Sequence, residues 1–138
     1  MRAYPLVTTL AAIGAALIVI DGDTIRSDEE RIRLEGIDAA EIGHAKCEAE
    51  RRLAILAKHR LEQLLGSGDV DIRRNAHPKP PDRYGRTLAR VLVDGEDVAC
   101  ILIKEGYARP WTGRRENWCT SLDRRDLAEA TLSCAAPY

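Results

Sequence analysis

The sequence predicts an α+β fold, a five-stranded Greek-key β-barrel packed with about three helices. Short alternating segments read as strands early in the chain and again past its middle. A single long amphipathic segment between them reads as a helix. The 138 residues, 45% of them apolar, are enough for one domain with a real core. There is no Phe, so Leu, Ile, Val and Ala must fill that core. The net charge of −1 excludes a disordered polyelectrolyte and announces no polyanion partner; any such site must come from local clustering of the 21 basic residues.

Ala3–Ile20 carries no charge and follows Arg2. Residues 1–14 read as an export signal: a basic residue, an apolar stretch at Leu6–Ile13, then small residues before a cut near Gly14. Ala15–Ile20 also reads as a buried first strand, and the two readings combine. The mature chain is then expected to be secreted or periplasmic, monomeric and free of membrane. Residues 15–118 form the folded domain, and 119–138 a C-terminal segment. None of the cysteines, Cys47, Cys100, Cys119 and Cys134, is spaced as CxxC, which argues against zinc. Four cysteines allow three pairings. Cys47 with Cys119 or with Cys134 is favoured, and Cys100, in an apolar segment, reads equally well as a buried thiol.

Val19–Arg26 reads as a strand carrying an Asp-Gly-Asp turn or bulge. After a polar hairpin loop at Ser27–Glu30, Arg31–Ile37 alternates cleanly. Ile32 and Leu34 face the core, and Arg31, Arg33 and Glu35 face away. Glu48–Leu65 is the long helix, with an apolar stripe of Leu53, Leu56, Ala57, Leu61, Leu64 and Leu65. Gly66 stops it. His59 on this helix reads as solvated, and His44 and His77 as loop residues. Asp69–Arg74 is a short strand, Asn75–Asp82 a proline-rich loop, and Arg86–Asp94 another alternating strand. Asp94-Gly95 makes a turn, Asp97–Glu105 a short helix, and Asp123–Leu132 a last one.

Three acids stand out. Asp23 follows a glycine in a strand-turn signal, Asp38 ends the strand from Arg31, and Glu41 follows in the loop. Pairing across the Ser27–Glu30 loop would bring Asp23 to Asp38, so that two carboxylates face one point. Oxygen ligands of this kind suit Ca²⁺ or Mg²⁺. Two acids and a backbone carbonyl leave the shell incomplete, to be filled by water and substrate oxygens. Basic residues cluster at Arg73, Arg74, Lys79, Arg83, Arg86 and Arg90, with Asp82 as the one acid among them. Arg86 follows Gly85, where backbone can approach a ligand, and Tyr84 offers a stacking face. Arginine forks beside metal-binding acids fit a phosphodiester.

Five blocks in order carry a family resemblance: Ile-Asp-Gly-Asp-Thr-Ile (20–25), Ile-Arg-Leu-Glu-Gly-Ile-Asp-Ala-Ala-Glu (32–41), Cys-x-x-Glu (47–50), Asp-Arg-Tyr-Gly-Arg-Thr-Leu-Ala-Arg-Val (82–91) and Asp-Val followed by Gly-Tyr-Ala (97–108). From about Ile20 to Pro110 the chain resembles the staphylococcal nuclease, or thermonuclease, family. That resemblance implies an OB-fold nuclease that needs Ca²⁺ and hydrolyses DNA and RNA with little sugar discrimination. It implies Asp23 and Asp38 as calcium ligands, with Ala39 supplying a backbone carbonyl. Arg33, Glu41 and Arg86 match the catalytic trio, and Arg83, Tyr84 and Trp111 would bind the nucleotide. The family commonly has proline where this chain has Ala40, which predicts a freer Glu41 loop, and the tail after Cys119 departs from the usual closing helix. The alternative reading is a non-catalytic nucleic-acid-binding module on the same fold; it would expect Asp23, Asp38 or Glu41 to be absent. A purely structural exported domain, with the acids capping turns, leaves the paired arginines unexplained.

Overall fold

A computed structural model describes residues 16–74 and 80–120. The export segment 1–14, His77, Lys79, the expected helix at Asp123–Leu132 and Cys134 lie outside the described residues.

The elements run β1 (Leu17–Asp21), β2 (Thr24–Ser27), β3 (Glu30–Leu34), β4 (Ile37–Ala39), α1 (Glu48–Leu65), β5 (Val70–Arg74), β6 (Thr87–Val93), β7 (Glu96–Asp97), α2 (Val98–Lys104) and β8 (Ala108–Pro110). The α+β class holds. The single five-stranded barrel does not: the described strands form a six-stranded mixed sheet, ordered β1-β2-β3-β6-β5 with β7 on β6, and a separate β4-β8 ribbon. The described helices number two, not about three. The result is an OB-like arrangement that does not close into one barrel.

The difference lies in two glycine turns. Val19–Arg26 is not one strand, because Gly22-Asp23 turns the chain and pairs Asp21 with Thr24. The strand from Arg31 stops at Leu34. Gly36 then takes φ +84°, a backbone conformation costly for residues with a Cβ, and redirects the chain into β4. Asp38 therefore sits in a ribbon opposite Arg109, not at the end of β3. The β2–β3 hairpin turn is tighter than expected and consists of Asp28 and Glu29, with Ser27 and Glu30 already paired. Beyond it, β3 runs parallel to β6, with Ile32 opposite Thr87 and Arg33 opposite Leu88. That register sets Arg33 on β3 beside the start of β6, which Arg86 immediately precedes.

Helix α1 has the expected bounds. Its N-cap is Cys47, and the buried Glu50 folds back to accept a hydrogen bond from the Lys46 amide at 2.7 Å, close to a capping box. Its buried stripe is Ala54, Ala57, Leu61 and Leu64, whereas Leu56 is 54% exposed. The stripe is set by where small residues are needed. A Cβ at Gly22 would stand 2.7 Å from the Ala57 Cβ, so glycine and alanine together let α1 approach the β1–β2 turn. Ile25, Ile32, Leu34, Ile37, Leu61, Val91, Val98 and Leu102 form the centre of the core. Asp97 caps α2 by accepting from the Ala99 amide at 2.9 Å, and Cys100 on α2 is buried. Cys47 is bridged to Cys119, one of the two favoured pairings.

Overpacking at a backbone contact costs about 1–3 kcal/mol. Gly22→Ala should therefore lower the unfolding free energy measured in urea by that amount, and the midpoint with it, since neither Ala57 nor Ala39 has a flexible side chain to move aside. A midpoint equal to that of the parent would show that the turn and helix have slack.

Candidate active site

Asp23 leaves the β1–β2 turn with its carboxylate buried. Its Oδ1 accepts from Thr24 Oγ1 at 2.9 Å and its Oδ2 from the Ala39 amide at 3.1 Å. The second bond ties the turn to β4. Asp38, 2% exposed, accepts at Oδ2 from the Glu116 amide at 3.0 Å and from Trp118 Nε1 at 3.3 Å. Its other oxygen faces inward. Arg33 Nη2 lies 3.8 Å from Asp23 Oδ2 and 3.8 Å from Asp38 Oδ1, so one guanidinium touches both carboxylates. The same guanidinium stacks on Trp111 at 5.0 Å.

Arg86 lies on the neighbouring strand's approach. Asp82 holds it, accepting from Arg86 Nε at 2.8 Å and from the amides of Tyr84 and Arg86 at 2.9 Å each. Burial works to raise the Asp82 pKa, but these hydrogen bonds prevail and its carboxyl lies below the ordinary value of 3.8. Tyr84, 58% exposed, carries Arg83 over its ring at 4.8 Å and Arg86 at 5.2 Å. Gly85 between them takes φ +73°. Arg33, Asp38, Glu41, Arg86, Tyr84 and Trp111 all line one open cleft of about 800 Å³. Ala39 stands behind it, paired with Ala108.

Two residues of this region escaped the sequence reading. Asp21, the first acid of the Asp-Gly-Asp turn, also lines the cleft. Burial raises its pKa, as do the charges of Asp23 and Glu41, against an amide bond from Ile42 and the charge of Lys58. The doubled acid around Gly22 was the available signal. Arg115 pairs with Glu41 Oε1 at 2.8 Å. It sits in an irregular segment 78 residues from the strand acid that its neighbour Glu116 holds, and no local pattern marks it. Conversely, most of the basic cluster is neutralised. Among its described members, Arg73 pairs with Asp71, Arg74 with Glu30 and Arg90 with Asp97, while Arg83 and Arg86, the latter held by Asp82, line the cleft. Ala40, where the family commonly has proline, is fully buried and packs with Ala54 and Trp118.

The donor set suits a hard divalent cation. It is all carboxylate oxygen, two of its acids are buried, and Asp38 is held above its ordinary pKa of 3.8 by burial and by the Asp23 charge, against bonds from Glu116 and Trp118. A cation would relieve both effects. Among the described residues no three carboxylates close on one point. The one three-ligand cluster there is Cys47, Glu50 and Cys119, and its sulfurs are bonded to each other. The acidic site thus offers a partial shell.

An OB-like sheet that brings acids and arginine forks to one cleft carries the donor types that a divalent cation and a phosphate take. The profile described as staphylococcal nuclease homologue matches residues 31–130. Thermonuclease from Staphylococcus intermedius is 37% identical over 95 residues, which is 66% of this chain and 55% of that protein. Endonuclease YncB from Bacillus subtilis (strain 168) is 33% identical over 94 residues, 65% of this chain and 44% of that protein. The chain spans about half the length of these relatives. It belongs to the staphylococcal nuclease homologue family.

Folded Asp38 holds its proton more tightly than the unfolded chain does. Its ionised form therefore costs stability above its raised pKa, and that cost fades as the pH falls through that value toward 3.8. With calcium chelated, Asp38→Asn should be more stable than the parent at pH 7, and the gap should close near pH 4. Urea midpoints across that range measure this, and a gap independent of pH would contradict it.

Proposed function

We propose that this protein is a Ca²⁺-dependent endonuclease that hydrolyses phosphodiester bonds of DNA and RNA with low sugar specificity. The observation that carries the reading is Arg33, which contacts the buried Asp23 and Asp38 at 3.8 Å each and shares a cleft with Asp38, Glu41 and Arg86. Asp23, Asp38 and the Ala39 carbonyl would hold the calcium ion, which when bound supplies Lewis-acid polarisation of the phosphoryl group.

The protein's own residues do the rest. Arg33 and Arg86 donate to non-bridging phosphate oxygens and stabilise the charge that grows there as water attacks in line. Glu41 takes the proton of that water, or orients it. The P–O5′ bond breaks, and Arg86 assists departure of the oxygen. Arg115 engages Glu41 at Oε1, and the water would be taken at Oε2. Arg83 offers charge to a neighbouring phosphate, and Tyr84 and Trp111 offer exposed rings for base stacking. Asp82 keeps Arg86 aimed by binding its Nε, which leaves the Nη groups for substrate. Export to an oxidising compartment is part of the proposal, supported by the Cys47–Cys119 bridge. The working form is taken as a monomer.

Plasmid and RNA should be cut with calcium and left intact with a chelator. Glu41→Gln should lower turnover by about 10²–10⁴-fold with an unchanged circular-dichroism spectrum. Full activity in that variant would remove Glu41 from the chemistry. Binding without cleavage by the parent would leave a nucleic-acid-binding module. Three guanidiniums on phosphates predict a log–log salt slope of about −2 to −3 for single-stranded substrate, and Arg83→Ala should reduce it by about 1. A flat response would detach these arginines from the phosphates.

A further inference from the structure

Asp38 is held by a segment that the family motifs do not include. Residues 115–119 form an irregular strap. Both donors to Asp38 Oδ2 come from it, the Glu116 amide at 3.0 Å and Trp118 Nε1 at 3.3 Å. With Oδ2 occupied, the carboxylate cannot rotate, and Oδ1 is the oxygen that faces Arg33 and Asp23. The strap also carries Arg115 onto Glu41.

The strap has little regular structure to keep it in place, so it is fixed by side chains. Trp118 is 6% exposed and packs on Ala40 and Ala54. Arg109, opposite Asp38 in the ribbon, stacks on the Trp118 ring at 4.6 Å and bonds Glu116 Oε2 at 2.8 Å. The residue immediately after Trp118 is Cys119, bridged to the N-cap of α1. The covalent pin thus stands one residue from the indole that grips the acid.

We propose that the strap, pinned by the Cys47–Cys119 disulfide, is a positioning device for Asp38, so that cation affinity depends on the Trp118 indole N–H and on the oxidised state of this cysteine pair. The inference rests on the reading of Asp38 as a cation ligand. Donors behind a ligating carboxylate fix the orientation of the oxygen that binds, and losing one costs about 10–100-fold in metal affinity or activity. Opening the disulfide frees the strap at its end. The Trp118 indole, one residue from the bridge, is the donor to Asp38 Oδ2 that this loosens first, while Arg109 still holds Glu116.

The test is calcium binding by titration calorimetry on the full chain without nucleic acid. Trp118→Phe keeps an aromatic ring in the pocket and removes only the N–H, so its calcium affinity should fall about 10-fold with an unchanged circular-dichroism spectrum. Trp118→Leu should fall further. The Cys47→Ala/Cys119→Ala double variant, and parent protein reduced with dithiothreitol, should bind at least 10-fold more weakly than the oxidised parent. Wild-type affinity in Trp118→Phe, with weakening confined to Trp118→Leu, overturns the positioning function in favour of packing. A folded disulfide-free variant that keeps wild-type affinity overturns the pin. If the double variant does not fold, the dithiothreitol-reduced parent decides the pin and Trp118→Phe decides the indole. An oxidised parent that neither binds calcium nor cuts nucleic acid fails differently: it removes the nuclease reading itself.

Discussion

The structure around the cleft depends on placing two buried carboxylates against one guanidinium. Asp23 and Asp38 come from elements that share no ladder, a hairpin turn in the main sheet and a short separate ribbon. Bringing like charges into a low-dielectric site is unfavourable unless charge and donors meet them there. Arg33 supplies the charge. The Ala39 amide, the Thr24 hydroxyl, the Glu116 amide and the Trp118 indole supply the donors. Each of these sits where a turn, a ribbon or a bridge has put it. Gly22 lets α1 approach, Gly36 redirects the chain into β4, and Cys119 anchors the strap.

The proposed division of labour follows from this. Positions on the main sheet would hold phosphate, because β3 and β6 are in fixed parallel register and a one-residue slip would send Arg33 to the core face. Asp38 on the ribbon, oriented by the strap, would hold the cation together with Asp23 from the β1–β2 turn, and Glu41 just past the ribbon would serve as the base. The two halves meet at Arg33. A nuclease of this type would then have a rigid substrate side, while the metal side depends on a non-repetitive segment for its order.

Much of this was legible in the sequence, and the limits have physical causes. Helix α1 was read to its bounds because apolar spacing, a cap and a terminal glycine agree over eighteen residues. Its buried face was misjudged at Leu56, which is exposed, and at Ala54, which periodicity passes over because it weighs leucine above alanine and which packs against Ala40 and Trp118. The strands were found but miscounted. Gly22-Asp23 and Gly36 each turn the chain inside what alternation reads as continuous. The residues of the cleft were nameable from ordered motifs, because close substrate approach constrains both residue type and spacing. Arg115, Glu116 and Trp118 were not. They act across 70 to 80 residues from an irregular segment, where neither period nor motif carries a signal.

The pairing of surface arginines reaches further than the site. Arg60, Arg73, Arg74, Arg90 and Arg109 each face an acid, and the chain as a whole carries a net charge of −1. Among the described residues, these five pairs draw positive charge off the faces away from the cleft, so the pull on a polymer of phosphates is weighted toward the arginines at the cleft itself. On the proposed reading, each scission would end with release and a fresh encounter. Such a protein would work distributively, shortening a whole population of strands together instead of consuming one molecule before starting the next.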